Sequence, residues 1–72
     1  MEKNTALLKL AQRIKQLRQE QQLSQEELAN ICNFDRTYIS LLERAKRNPS
    51  YFNLLRLSVG LDLSLSQLLK DI

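Results

Sequence analysis

Histidine and tryptophan are absent from this 72-residue chain, and cysteine, glycine and proline occur once each. Without imidazole, and with Cys32 standing alone, no side-chain set has the donors of a zinc site, and the usual agent of acid–base chemistry at neutral pH is missing. No nucleophile stands with a base and no carboxylate pair has an apolar pocket behind it, so an enzyme is not expected. The single Gly60 excludes a glycine-rich phosphate loop, and with it a nucleotide cofactor held that way. No cofactor, metal or small-molecule ligand is suggested. No run of roughly 18 apolar residues is present, which excludes a membrane-spanning helix. A lone cysteine makes no internal disulfide, and the first residues lack the apolar stretch of a signal peptide; the expectation is a reducing, cytoplasmic setting.

Strand-like alternation and hairpin dipeptides are missing too, which leaves an all-α chain. Residues 1–72 make one small domain, and a chain of this length buries only about 60% of its unfolded surface. Dimerisation is the natural source of further stability. The net charge of +3 is a weak pointer to a polyanionic partner. Its placement is a stronger one: from Arg36 to Arg56, five basic residues (Arg36, Arg44, Lys46, Arg47, Arg56) face the single acid Glu43.

Helical spacing runs through the whole chain. Asn4 or Thr5 is placed to cap a first helix reaching about Gln21, with Met1 to Asn4 frayed. Its apolar stripe is Leu7, Leu10, Ala11, Ile14 and Leu17, and Lys9, Arg13, Lys15 and Gln16 lie off it in water. Ser24 with Glu27 three residues on forms a capping box, the clearest start signal in the sequence. The second helix then buries Leu28, Ile31 and Cys32, with Ala29 small enough for close approach. Asn33 tolerates the left-handed turn that a tight helix exit needs, and Phe34 anchors the corner.

Asp35 caps a third helix, Arg36 to about Arg44. At about 100° per residue, Tyr38, Ile39 and Leu42 face inward while Arg36, Thr37, Ser40, Leu41 and Arg44 face outward. Two guanidinium forks and two hydroxyls suit phosphate oxygens and base edges in a major groove. This is the pattern of a recognition helix, with the helix-turn-helix spanning about 24–44. A basic loop, Ala45-Lys46-Arg47-Asn48-Pro49, follows, able to lie along a phosphate backbone. Ser50 caps a fourth helix, about Tyr51 to Val59, with Gly60 marking its end. Ser64 caps a fifth, Leu65 to about Lys70. Leucines crowd the last nineteen residues beyond what a small core can hold, so helices in about 50–70 are expected to supply a dimer interface through Leu61, Leu63, Leu65, Leu68 and Ile72.

Leu23-Ser24-Gln25-Glu26-Glu27-Leu28-Ala29, then Tyr38-Ile39-Ser40, Glu43-Arg44 and Lys46-Arg47-Asn48-Pro49, resembles the Cro and phage-repressor (Xre-type) helix-turn-helix family from about Ile14 to Leu69. The segment Asp35 to Ser40 is also similar to the controller proteins of restriction-modification systems. The resemblance implies a five-helix, lambda-repressor-like domain. It places Arg36, Thr37 and Tyr38 at base edges, with Arg36 bidentate to a guanine; Leu41, where many relatives have a polar reader, is left only apolar contact, with a base group such as a thymine methyl or with a neighbouring element. Gln25, Ser40, Arg44, Lys46, Arg47 and Asn48 go to phosphates, Gln25 also bracing the start of the third helix. It makes Arg18 and Glu43 an inner ion pair. Relatives commonly carry glycine where this chain has Gln22, Asn33, Ala45 and Asp62; left-handed angles at Gln22 and Ala45 cost about 1 kcal/mol or more each, so the loop at Ala45 is expected to differ in shape.

Two functions compete on these grounds. One is a sequence-specific, double-stranded-DNA-binding transcriptional regulator acting as a homodimer on a palindromic operator, controlled by its own concentration. The other is an antitoxin or protein-interaction module whose basic face is secondary.

Overall fold

Three of the four helix junctions are built from the same three residues: one in left-handed geometry, one apolar, and one that caps the next helix. Gln22-Leu23-Ser24, Asn33-Phe34-Asp35 and Asp62-Leu63-Ser64 all follow this form, with φ of 59°, 61° and 59° at their first positions. The computed structural model describes residues 3–72. Its helices are α1 (Lys3–Glu20), α2 (Gln25–Cys32), α3 (Arg36–Glu43), α4 (Tyr51–Gly60) and α5 (Leu65–Leu68), and no strand occurs among the described residues.

Each left-handed residue closes the helix before it. The amides of Leu23, Phe34, Lys46 and Leu63 reach back to the carbonyls of Arg18, Ala29, Leu41 and Ser58 at 2.8–3.1 Å, the paired closure that satisfies otherwise orphaned carbonyls. Ala45 belongs to this series at φ 58°, so the angle usual for glycine persists in all four positions where this chain lacks it. The loop at Ala45 therefore keeps the left-handed exit, against the expectation that it would differ. Helix starts are equally explicit: Ser24, Asp35, Ser50 and Ser64 each accept an amide hydrogen bond from the first turn they open. At Ser24 the capping box is complete, and the Ser24 amide, with its hydroxyl, holds the Glu27 carboxyl below the usual glutamate range.

Helices of eight residues do not persist alone in water, so α2 and α3 depend on the core. Ile14, Leu28, Ile39, Leu57, Leu61 and Leu68 are fully buried. Each contributes roughly 1.5–3 kcal/mol relative to exposure. Every helix supplies at least one, and α1 packs chiefly on α3.

Several expectations are corrected here. Asn4 and Thr5 lie inside α1, which is already helical at Lys3; the fraying expected at Met1 and Glu2 falls outside the described residues. Arg13 is not wet: its guanidinium donates to the carbonyls of Leu68 (3.0 Å) and Gln67 (2.7 Å), holding the end of α5. α5 stops at Leu68, short of Lys70. Ile31 is exposed rather than buried. Gly60 is the last residue of α4 and has no positive φ. Its role is proximity, because a Cβ there would lie 2.2 Å from Cys32 Sγ.

Candidate nucleic-acid interface

α3 is held from behind and left bare in front. Ile39 and Leu42 are buried in the core, while Arg36, Thr37 and Arg44 are exposed and Ser40 and Leu41 are half-buried. Asp35 fixes the first turn by accepting from the Thr37 amide at 3.1 Å. The far end is fixed by Arg18 of α1, which donates to both carboxylate oxygens of Glu43 at 2.6 and 2.9 Å and to the Leu23 carbonyl at 2.7 Å. Fork-to-fork geometry of this kind sets orientation as well as energy, and Glu43 raises the pKa of the Arg18 guanidinium above its usual range. The outward face is thus a rigid one.

Beyond α3, Lys46, Arg47 and Asn48 are exposed on the same connection as buried Pro49. None of their side chains makes a hydrogen bond within the described residues. Arg36 and Thr37 likewise keep all their side-chain donors free, and Arg44 touches only the Ser40 carbonyl at 3.4 Å. Donors left unspent along one face and the loop that continues it can meet a row of acceptors, the chemistry of a phosphate backbone and the base edges beside it.

Other residues are placed differently from expectation. Gln25 donates to Glu43 Oε1 at 3.2 Å, bracing the end of α3 rather than its start. Arg56, counted among the free cations by charge alone, points away from this face. Its guanidinium lies 4.0 Å over the Phe34 ring and donates to the carbonyls of Cys32 (3.1 Å) and Asn33. Tyr38 is half-buried against Phe34, ring centroids 4.8 Å apart, and its hydroxyl accepts from Asn53 at 2.9 Å.

The expected dimer surface is overturned in part. Leu61 and Leu68 are fully buried within the chain, Leu63 and Leu65 pack against the core, and only Ile72 is exposed. The leucine surplus near the C-terminus fills the chain's own core. The uncovered apolar face lies elsewhere: Phe52 (67% exposed) and Val59 (78%) on α4, with Ile31 (54%) of α2 beside them. With Leu55 they line a shallow groove of about 310 Å³. One signal of this was in the sequence. Tyr51, Phe52, Leu54, Leu55, Leu57 and Val59 are too many apolar residues for one side of a ten-residue helix.

Cys32 closes the floor of this groove; burial pushes its thiol up, partly opposed by Arg56. Among the described residues no group of histidine, cysteine, aspartate or glutamate is arranged to hold a metal, and no helix is long and apolar enough to cross a membrane.

A helix-turn-helix family model matches residues 14–68. The control protein C.MunI of a Mycoplasma species is 43% identical over 70 residues, covering 96% of this chain and 95% of its own. The crystal structure of the restriction-modification controller protein C.AhdI from Aeromonas hydrophila superposes with a TM-score of 0.83 at 42% identity, covering 86% of this chain and 94% of that one. The controller protein C.Esp1396I, solved as a tetramer in complex with its natural 35 base-pair operator, gives a TM-score of 0.81 at 39% identity, covering 90% and 91%.

Proposed function

The chain belongs to this helix-turn-helix family, and from that premise we propose that it is a sequence-specific DNA-binding transcriptional regulator, working in the cytoplasm as a homodimer on a two-fold-symmetric operator. The observation that carries it is the outer face of α3, where Arg36 and Thr37 stand exposed with all their donors free on a helix locked by the Arg18–Glu43 fork. Arg36 suits the O6 and N7 of a guanine, Thr37 a neighbouring base edge, and Leu41 a thymine methyl. Ser40, Arg44, Lys46, Arg47 and Asn48 set the register on phosphates. Tyr38 reads from the margin of the same face. The chemistry is binding alone, with no enzymatic step.

One such helix touches few base pairs, and two copies a helical turn apart on one side of a duplex multiply the effect. The second copy is proposed to dock on the groove of Ile31, Phe52, Leu55 and Val59. It gathers Ile31, Phe52 and Val59, each more than half exposed, and C.Esp1396I, a relative of nearly the same length, was solved as a tetramer on its operator. Selection of bound duplexes from a random pool tests the whole reading. The expected product is a palindrome. Enrichment of no sequence over random DNA at low ionic strength removes it, and a stoichiometric protein partner with no DNA affinity establishes the interaction-module alternative.

A further inference from the structure

Between the reading helix and the apolar face lies a closed set of four side chains. Arg56 and Asn53, nearly one turn apart on α4, hold Phe34 of the α2–α3 turn and Tyr38 of α3, and those two rings pack on each other. We propose that Arg56 and Asn53 are positioning residues for DNA reading, fixing the angle of α3 and the hydrogen-bond polarity of Tyr38. The inference rests on the DNA reading above and goes beyond it.

Three observations support this. One Arg56 nitrogen, Nη2, donates to the carbonyls of Cys32 and Asn33 at the end of α2 while the guanidinium plane covers Phe34, so both the backbone and the aromatic side chain at this junction are held from α4. Asn53 donates to the Tyr38 oxygen, which occupies an acceptor lone pair; the phenolic proton is left to be donated outward, to a base acceptor. Finally, Gly60 at the end of α4 lies against Cys32 more closely than any side chain would allow, which seats the helix carrying Arg56 and Asn53 against α2.

The test uses the full chain and two probes, a duplex selected by the wild type from a random pool and a scrambled duplex of equal composition. In Arg56→Met and Asn53→Ala the preference for the selected duplex is expected to fall about tenfold, the scale of one base contact. Affinity for the scrambled duplex and its salt dependence should stay within about twofold, because neither side chain faces phosphate; in Asn53→Ala, at a position that does not line the α4 groove, the dimer dissociation constant should hold as well. Arg56→Lys should resemble Arg56→Met, since a compact ammonium lacks the flat face that covers Phe34. In a Tyr38→Phe background, Asn53→Ala should cost nothing more. An unchanged preference in both variants, equal losses on the two duplexes, full function in Arg56→Lys, or an Asn53→Ala effect that survives in the Tyr38→Phe background overturns the proposal. Asn53→Ala removes one hydrogen bond at a half-buried position, so it keeps the test open should Arg56→Met fail to fold. A wild type that selects no duplex removes the DNA reading itself, which is a different result from a selective wild type with equally selective variants.

Discussion

α3 and α4 each leave one face uncovered, and the two faces are opposite in chemistry. On α3 the bare side carries guanidinium and hydroxyl groups that the fold does not use; on α4 it carries Phe52, Leu55 and Val59. Unspent donors call for acceptors, and unspent apolar area calls for apolar area. Among the described residues every buried side-chain polar atom has a partner, so what is left unspent lies on these two faces of consecutive helices. The difference assigns them separate partners, a polyanion for α3 and a second copy for α4.

The largest test separates the two faces outright. Val59→Asp places a charge in the centre of the proposed contact, at a site too exposed to matter for the fold of one copy. Loss of the dimer should reduce apparent affinity for a two-half-site duplex by about 100-fold or more, while a single half-site is bound as before. Sedimentation and fluorescence anisotropy report the two quantities. A variant that stays dimeric moves the contact off α4. Leu68→Asp, by contrast, should unfold the chain rather than make monomers, because that leucine is fully buried.

Next in size is the support behind α3. Glu43→Gln leaves the Arg18 guanidinium in a pocket where the two side chains are only 11% and 3% exposed, and breaking a buried pair on one side costs about 3 kcal/mol or more. For a domain of this size each kcal/mol lowers Tm by about 4–8 °C. A change of a degree or two by calorimetry would show the fork to be worth no more than a surface pair. Smaller still is the split within the polar face itself. Arg36→Ala should weaken the selected duplex by about 1–3 kcal/mol and relax preference at one base pair, whereas Lys46→Ala should weaken all sequences alike and lower the salt slope by about 1. Equal losses on selected and scrambled DNA for Arg36→Ala would falsify its assignment to a base.

Most of the fold was legible because its signals are local. The Ser24–Glu27 box, the Asp35 and Ser50 caps and the left-handed Asn33 act within a few residues of themselves, and all are found where the sequence put them. The outward face of α3 was legible for the same reason, since an eight-residue helix of strong periodicity has one inside. What escaped depends on contacts between distant segments. Arg13 and Arg56 look like solvated cations until α5 and the α2–α3 turn are brought against them across 55 and 24 residues. Leu61 and Leu68 look surplus until the helices close into one core around them, and Ile31 looks buried until α4 is found to lean on Cys32 instead. Periodicity says that a helix has two sides; which of two apolar sides is covered is decided by the other helices.

The smallest effect concerns how the two helices end. α3 closes on Ala45 at φ 58° and α4 on Asp62 at φ 59°, the same geometry in two residues of unequal tolerance for it. Left-handed geometry costs an ordinary residue about 1–2 kcal/mol, which aspartate partly escapes by bonding locally. Glycine is free of that strain, but its looser unfolded chain returns part of the gain. Ala45→Gly is therefore expected to stabilise the chain by about 0.5–1 kcal/mol in urea titration, and Asp62→Gly to change little. Because the angle at position 45 is preserved, Lys46 and Arg47 keep their places and DNA affinity should hold within about twofold. A neutral or destabilising Ala45→Gly would show that the exit of α3 relaxes to another conformation, and the loop carrying those two cations would then have to be placed anew.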